Sequence, residues 1–82
     1  MKKPIIRYGI IRNDASIING TIRNINGQIV YLCSDIDGAI CYYNRYKNSW
    51  TLNTKICKLE NIEHKNFILA QFKILKDYSI LL

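Results

Sequence analysis

Three dipeptides, Asn19-Gly20, Asn26-Gly27 and Asp37-Gly38, constrain the fold of this chain more than any other feature. Both central residues of a type I′ hairpin turn need positive φ, which Gly, Asn and Asp adopt at least cost. Such pairs between apolar runs are the strongest local hairpin signal. The intervening segments, Thr21 to Ile25, Gln28 to Ile36 and Ala39 to about Tyr46, are rich in Ile, Val, Tyr and Thr, as strands prefer. Upstream, Ile6, Tyr8 and Ile10 fall on one side of an alternating run from Ile5 to Arg12, and Arg12-Asn13-Asp14-Ala15 supplies a turn before Ile17-Ile18. Downstream, Trp50 to Leu59 has strand composition and is entered through Lys47-Asn48-Ser49. The pattern predicts an antiparallel β meander over residues 4–58.

Residues 59–78 read as a helix. Glu60 and Glu63 come early and Lys73 and Lys76 late, which suits a helix dipole, and Asn61 is a candidate cap. The alternation of Ile68, Ala70, Phe72 and Ile74 argues instead for a buried strand. The expected class is α+β: a small curved antiparallel sheet or barrel of five to six strands, SH3-like or OB-like, with a C-terminal helix over about 59–78. Closure into a barrel would remove exposed sheet edges. A chain of 82 residues has surface enough to bury for one domain only.

Two-residue turns would also set the register, with Ile25 opposite Gln28, Arg23 opposite Val30, Ile36 opposite Ala39 and Val30 opposite Arg45. Arg23, Val30 and Arg45 would then form one row, and Ile22, Ile29, Tyr31 and Ile40 would lie on the other face as the core.

Candidate catalytic chemistry is thin. Cys33, Cys41 and Cys57 are spaced by 8 and 16 residues with His64 as the sole histidine, so a four-ligand zinc site would have to use every Cys and His present. The register separates Cys33 from Cys41, and the three read as buried, reduced thiols. Asp35 and Asp37 form a carboxylate pair, but in a turn, where Asp serves the backbone. There is no phosphate-binding glycine loop and no nucleophile motif. The expectation is a non-enzymatic protein without metal or cofactor.

The charge is more informative. The net +6 divides into +4 for residues 1–27, −2 for 28–38, +4 for 39–58 and zero for 59–82. Within the third block, Tyr42-Tyr43-Asn44-Arg45-Tyr46-Lys47-Asn48-Ser49-Trp50 interleaves four aromatic rings with two cations. Rings stack with unpaired bases while cations follow phosphates, so this pattern suits single-stranded nucleic acid or RNA. Arg23, Tyr43, Arg45, Lys47 and Trp50 are the candidate contacts. The bland reading is a strand with core tyrosines and solvated cations. The span from Asp37-Gly38 to Trp50 resembles the central hairpin of a WW domain, with Tyr pairs and Asn ahead of a Ser and a Trp; it lacks the first Trp and the closing Pro, and no binding residue is carried over.

The alternative partner is a protein. The 16 Ile, 9 Asn and 8 Lys reflect AT-rich codons, as in a virus or phage, an organelle or a low-GC bacterium, and a virus- or phage-encoded inhibitor of a host machine or a small subunit of an assembly would fit. Tyr78-Ser79-Ile80-Leu81-Leu82 or a sheet edge could mediate homo-oligomers. No apolar run approaches the roughly 20 residues of a membrane span, and Met1-Lys2-Lys3-Pro4 is not followed by a signal-peptide core, so a cytoplasmic location is expected.

Overall fold

The computed structural model describes residues 4–50, 53–62 and 70–78. Strands β1 (Ile6–Arg12), β2 (Thr21–Arg23) and β3 (Ile29–Cys33) precede a helix, α1 (Ile36–Tyr46), and a short 3₁₀ turn, Lys47–Ser49. Strands β4 (Thr54–Asn61) and β5 (Gln71–Asp77) follow. The α+β class and the antiparallel sheet are as expected: five strands lie in the order β2-β5-β4-β1-β3, and every pairing is antiparallel.

Two of the three expected turns form. Asn19 and Gly20 have φ of 53° and 74°, Asn26 and Gly27 of 54° and 69°. Ile18 and Thr21 exchange backbone hydrogen bonds of 3.0 Å each way across the first, and the Gln28 N–H donates to the Ile25 carbonyl at 3.0 Å across the second. The strands that leave Asn26-Gly27, however, do not pair with each other. β2 pairs with β5 and β3 with β1, so the expected opposition of Arg23 and Val30 is absent.

The turn therefore joins the two edges of the sheet, and this requires curvature. In a flat five-stranded sheet the outer strands would stand about 19 Å apart. Here the Gln28 side chain donates from Nε2 directly to the Arg23 carbonyl at 2.9 Å, and the Gln28 carbonyl accepts from Arg12 N–H at 3.0 Å. The sheet curls into a half-barrel. Ile22 from one edge and Ile29 from the other meet Ile11, Cys57, Leu59, Ala70 and Phe72 inside the curl. A Cβ on Gly9 would lie 2.8 Å from Leu59 Cδ1 and 2.9 Å from Leu32 Cδ2, so β1 approaches this interior more closely than a side chain would allow.

The third expected turn is a correction. Asp37-Gly38 lies in the first turn of α1, not in a hairpin. Asp35 is the N-cap, its Oδ1 accepting from Gly38 N–H at 2.7 Å, and Asp37 adds a carboxylate where the helix dipole favours one. Ile36, Ala39, Ile40 and Tyr43, spaced i, i+3, i+4, i+7, turn one face of α1 onto Ile10 and Ile56. The segment resembling a WW hairpin is thus helical, and the expected pairings of Ile36 with Ala39 and of Val30 with Arg45 do not exist. The helix sits mid-chain, between β3 and β4.

The C-terminal helix is the second correction. Residues up to Asn61 belong to β4, and Gln71–Asp77 form β5, pairing with β4 from Cys57↔Asp77 to Asn61↔Phe72. Residues 63–69, the centre of the expected helix, lie outside the described residues. Ala70, Phe72 and Ile74 face the interior, so the period-two alternation prevails over the charge gradient. The strand expected at Trp50 to Leu59 begins instead at Thr54, with Trp50 just after the 3₁₀ turn. Among the described residues no helix is long and apolar enough to cross a membrane.

Two substitutions test this architecture by urea denaturation. Phe72→Ala removes a ring that is 2% exposed at the centre of the curl, and a loss of about 3–5 kcal/mol is expected. Asp35→Ala removes the helix cap and should cost about 1 kcal/mol, with Asp35→Asn restoring most of it; a hairpin at Asp37-Gly38 would show no such cap dependence.

Candidate functional site

The fold sorts aromatic residues by face. The interior of the curl holds aliphatic side chains and a single described ring, Phe72. Tyr8, Tyr31, Tyr42, Tyr43, Trp50 and Tyr78 all pack on the opposite, convex side around Ile10, Ala39 and Ile56, and Tyr46 joins them through Tyr42. Every tyrosine and the one tryptophan therefore lie on the face that carries α1.

A column of rings runs along one flank of that helix. Tyr31 of β3 stacks on Tyr42 with centroids 3.8 Å apart and planes within 8°, and Tyr42 meets Tyr46 one helical turn on at 4.6 Å and 45°. Trp50 folds back behind the helix end, 6.3 Å from Tyr42 and 6.0 Å from Tyr43. Tyr31, Gly38, Cys41, Tyr42, Arg45 and Tyr46 line a shallow groove of about 320 Å³. The helical members recur at i, i+3, i+4, i+7 and i+8, which places them on one stripe.

Cations frame the rings. The Arg45 guanidinium lies 5.9 Å from the Tyr46 ring centre and the Lys47 ammonium 5.7 Å from that of Tyr43. Cation–π attraction holds each head near a face without neutralising it. No carboxylate among the described residues pairs with either: Asp14 bonds Arg12 at 2.8 Å and Asp77 bonds Lys55 at 3.3 Å. Asp35 and Asp37 are at the far end of the helix.

The structure thus brings together four of the five residues expected at the site, Tyr43, Arg45, Lys47 and Trp50, but on a helix end and the following turn instead of a strand. Arg23 is not with them. It is exposed on β2 and lines a separate cleft of about 490 Å³ with Thr21, Ile25, Gln28 and Gln71 among its walls. Three of that cleft's polar side chains are engaged in the framework. Gln28 spans Ser16 N–H and the Arg23 carbonyl, Gln71 Nε2 donates to Thr21 Oγ1, and Thr21 Oγ1 donates to the Ile18 carbonyl. Tyr31, Tyr42 and Tyr46 join the groove from outside the expected five; the helical recurrence at 38, 41, 42, 45 and 46 signals Tyr42 and Tyr46, whereas Tyr31 arrives from β3 through the tertiary fold.

The cysteines do not converge. Cys33 donates its S–H to the Asp35 carbonyl at 3.0 Å, Cys57 is fully buried inside the curl, and Cys41 is exposed in the groove, against the expectation that all three are buried. Among the described residues no three of His, Cys, Asp and Glu cluster as metal ligands, and His64 lies outside them. Burial raises the Cys33 thiol and pushes that of Cys57 from 9.0 up to about 11. Because the unfolded chain then ionises first, the stabilising contribution of a neutral Cys57 is complete below pH 9 and declines as pH rises towards 11. A Cys57→Val variant should lose that part of the alkaline destabilisation. Iodoacetamide should modify Cys41 in the folded protein and Cys57 only on unfolding, as peptide mass mapping would show.

Set against protein-family models, curated proteins and solved structures, the chain matches none.

Proposed function

We propose that this protein is a small non-enzymatic binding module and that the end of α1, with its flanking turn, takes single-stranded nucleic acid. One observation carries the reading. The ring column Tyr31–Tyr42–Tyr46 ends in a ring that is 39% exposed, with two cations beside the rings that no described carboxylate neutralises. Seating a helix on a sheet needs the Ile10–Ala39–Ile56 contact; it does not need a tyrosine and an arginine on the outer rim. Exposed rings accept unpaired bases at about 1–3 kcal/mol each, sequence-tolerantly, and cations at their edge meet the phosphates. Duplex bases hide their faces in the stack, so the same surface favours an unpaired strand. Tyr43, Arg45, Lys47 and Trp50 carry over from the sequence as contacts, joined by Tyr42 and Tyr46.

A second reading, docking of a protein strand, draws on β3, which among the described residues has β1 as its only neighbour in the sheet and places Tyr31 beside the groove.

Fluorescence anisotropy with a labelled oligonucleotide of about 12 nucleotides separates the two readings. Binding should weaken as salt rises, with a log–log slope of about −0.7 for each phosphate neutralised. Tyr46→Ala should weaken it about 5- to 100-fold without unfolding the protein, because the ring is at the surface. Arg45→Gln should make the slope shallower by about 0.7. No binding at low salt, or binding that neither substitution alters, rejects the nucleic-acid reading, and stoichiometric recovery of a partner protein would favour the second.

A further inference from the structure

The convex face carries a second cationic feature, on the side of the sheet away from the groove. Lys58 of β4 lies directly opposite Lys76 of β5. Such positions hold Cβ atoms about 4.5–5.5 Å apart, and like charges there destabilise a sheet. The nearest carboxylates on the ladder face other lysines. Asp77 bridges to Lys55 at 3.3 Å, and Glu60 is opposite Lys73 two pairs further along. Two rings adjoin the lysines instead. Tyr8 of β1 is paired with Lys58, the Lys76 ammonium sits 5.1 Å from the Tyr78 ring centre, and Tyr8 and Tyr78 stand 6.2 Å apart. Both rings pack in the cluster that holds Tyr31, Tyr43 and Trp50, so the groove and the lysine pair belong to one continuous face.

We infer that Lys58 and Lys76 bind a further phosphate stretch of the same strand, so that the nucleic acid crosses the convex face from α1 to the β4–β5 ladder. The inference rests on the nucleic-acid reading above and extends its footprint. An approaching phosphate would turn a repulsive pair into a bidentate cation site, which gives the unfavourable opposition a use that folding alone does not. From β3 to β5 is three strand spacings, about 14 Å, a distance that one strand occupying about 4–16 nucleotides can cover.

The test compares the salt dependence of oligothymidylate binding for the wild type, Lys58→Gln, Lys76→Gln, the double variant and Arg45→Gln, together with thermal melting of each unliganded protein. The double variant should flatten the slope by about 1.4, twice the single-phosphate value. Lys76 is exposed, so Lys76→Gln keeps the fold and should melt no lower than the wild type while showing half that change. A double variant that binds with the wild-type slope overturns the inference, and if Arg45→Gln still flattens the slope, the α1 site stands alone. A lowered melting temperature with an unchanged slope assigns the lysine pair to the fold and also overturns it. Absence of any binding by the wild type rejects the underlying reading itself.

Discussion

The turn at Asn26-Gly27 is the constraint on which the rest of the structure depends, because it ties together strands that stand at opposite edges of the sheet. With β2 and β3 held by Gln28 to the same few residues, the sheet cannot lie flat, and its inner face closes on itself. The curl leaves little interior volume. Among the described residues it is filled by Ile11, Ile22, Ile29, Cys57, Leu59 and Ala70 around Phe72, and at Gly9 even a methyl group would collide with Leu59 and Leu32. With Phe72 in place, the described tyrosines and the tryptophan lie elsewhere. They pack on the convex side, where a helix crossing three strands leaves open flanks.

Much of this architecture is legible along the chain, but to different depths. Positive φ at Asn19, Gly20, Asn26 and Gly27 follows from steric preference alone and is found at all four. Pairing does not follow, since a turn fixes the residues that flank it and says nothing of which long-range neighbour each strand will meet. Asp37-Gly38 shows the opposite failure. Its residues suit a tight turn, yet Asp35 caps and Ile36, Ala39, Ile40 and Tyr43 repeat with helical spacing, and the burial of that stripe on Ile10 and Ile56 outweighs a local turn preference. At the other end of the chain, the charge gradient from Glu60 to Lys76 suggests a helix worth tenths of a kcal/mol per charge, while burying Ala70, Phe72 and Ile74 on alternate positions is worth kilocalories.

The candidate site was legible for a reason independent of its secondary structure. Rings and cations interleaved within nine residues share one neighbourhood of the chain, and the end of α1 with its 3₁₀ turn draws Tyr43 and Trp50, about 23 Å apart in an extended strand, to 6.0 Å. Arg23 could reach them only through the register, and the register depended on a hairpin that does not form. Tyr8, Tyr31 and Tyr78 join the same face from β1, β3 and the end of β5, which no local reading of the chain could supply.

The two faces also divide the work that side chains can do. Inside the curl, shape decides: Phe72 and the aliphatic residues fill a closed volume, and the polar residues around the neighbouring cleft satisfy the turns and β2. On the convex side, packing is met by a few contacts of α1 with Ile10 and Ile56, after which further rings gain little from burial. Residues beyond that requirement are the ones whose placement a fold does not explain. Tyr46 keeps over a third of its surface in water, Arg45 and Lys47 lean on rings instead of carboxylates, and Lys58 faces Lys76 across the β4–β5 ladder. The cation–π contacts are worth about 0.5–1 kcal/mol each at an exposed site, less than a helix needs to seat itself on a sheet, and the Lys58–Lys76 opposition is repulsive. Their convergence on a single face is therefore the physical ground for treating that face as the working surface of the molecule.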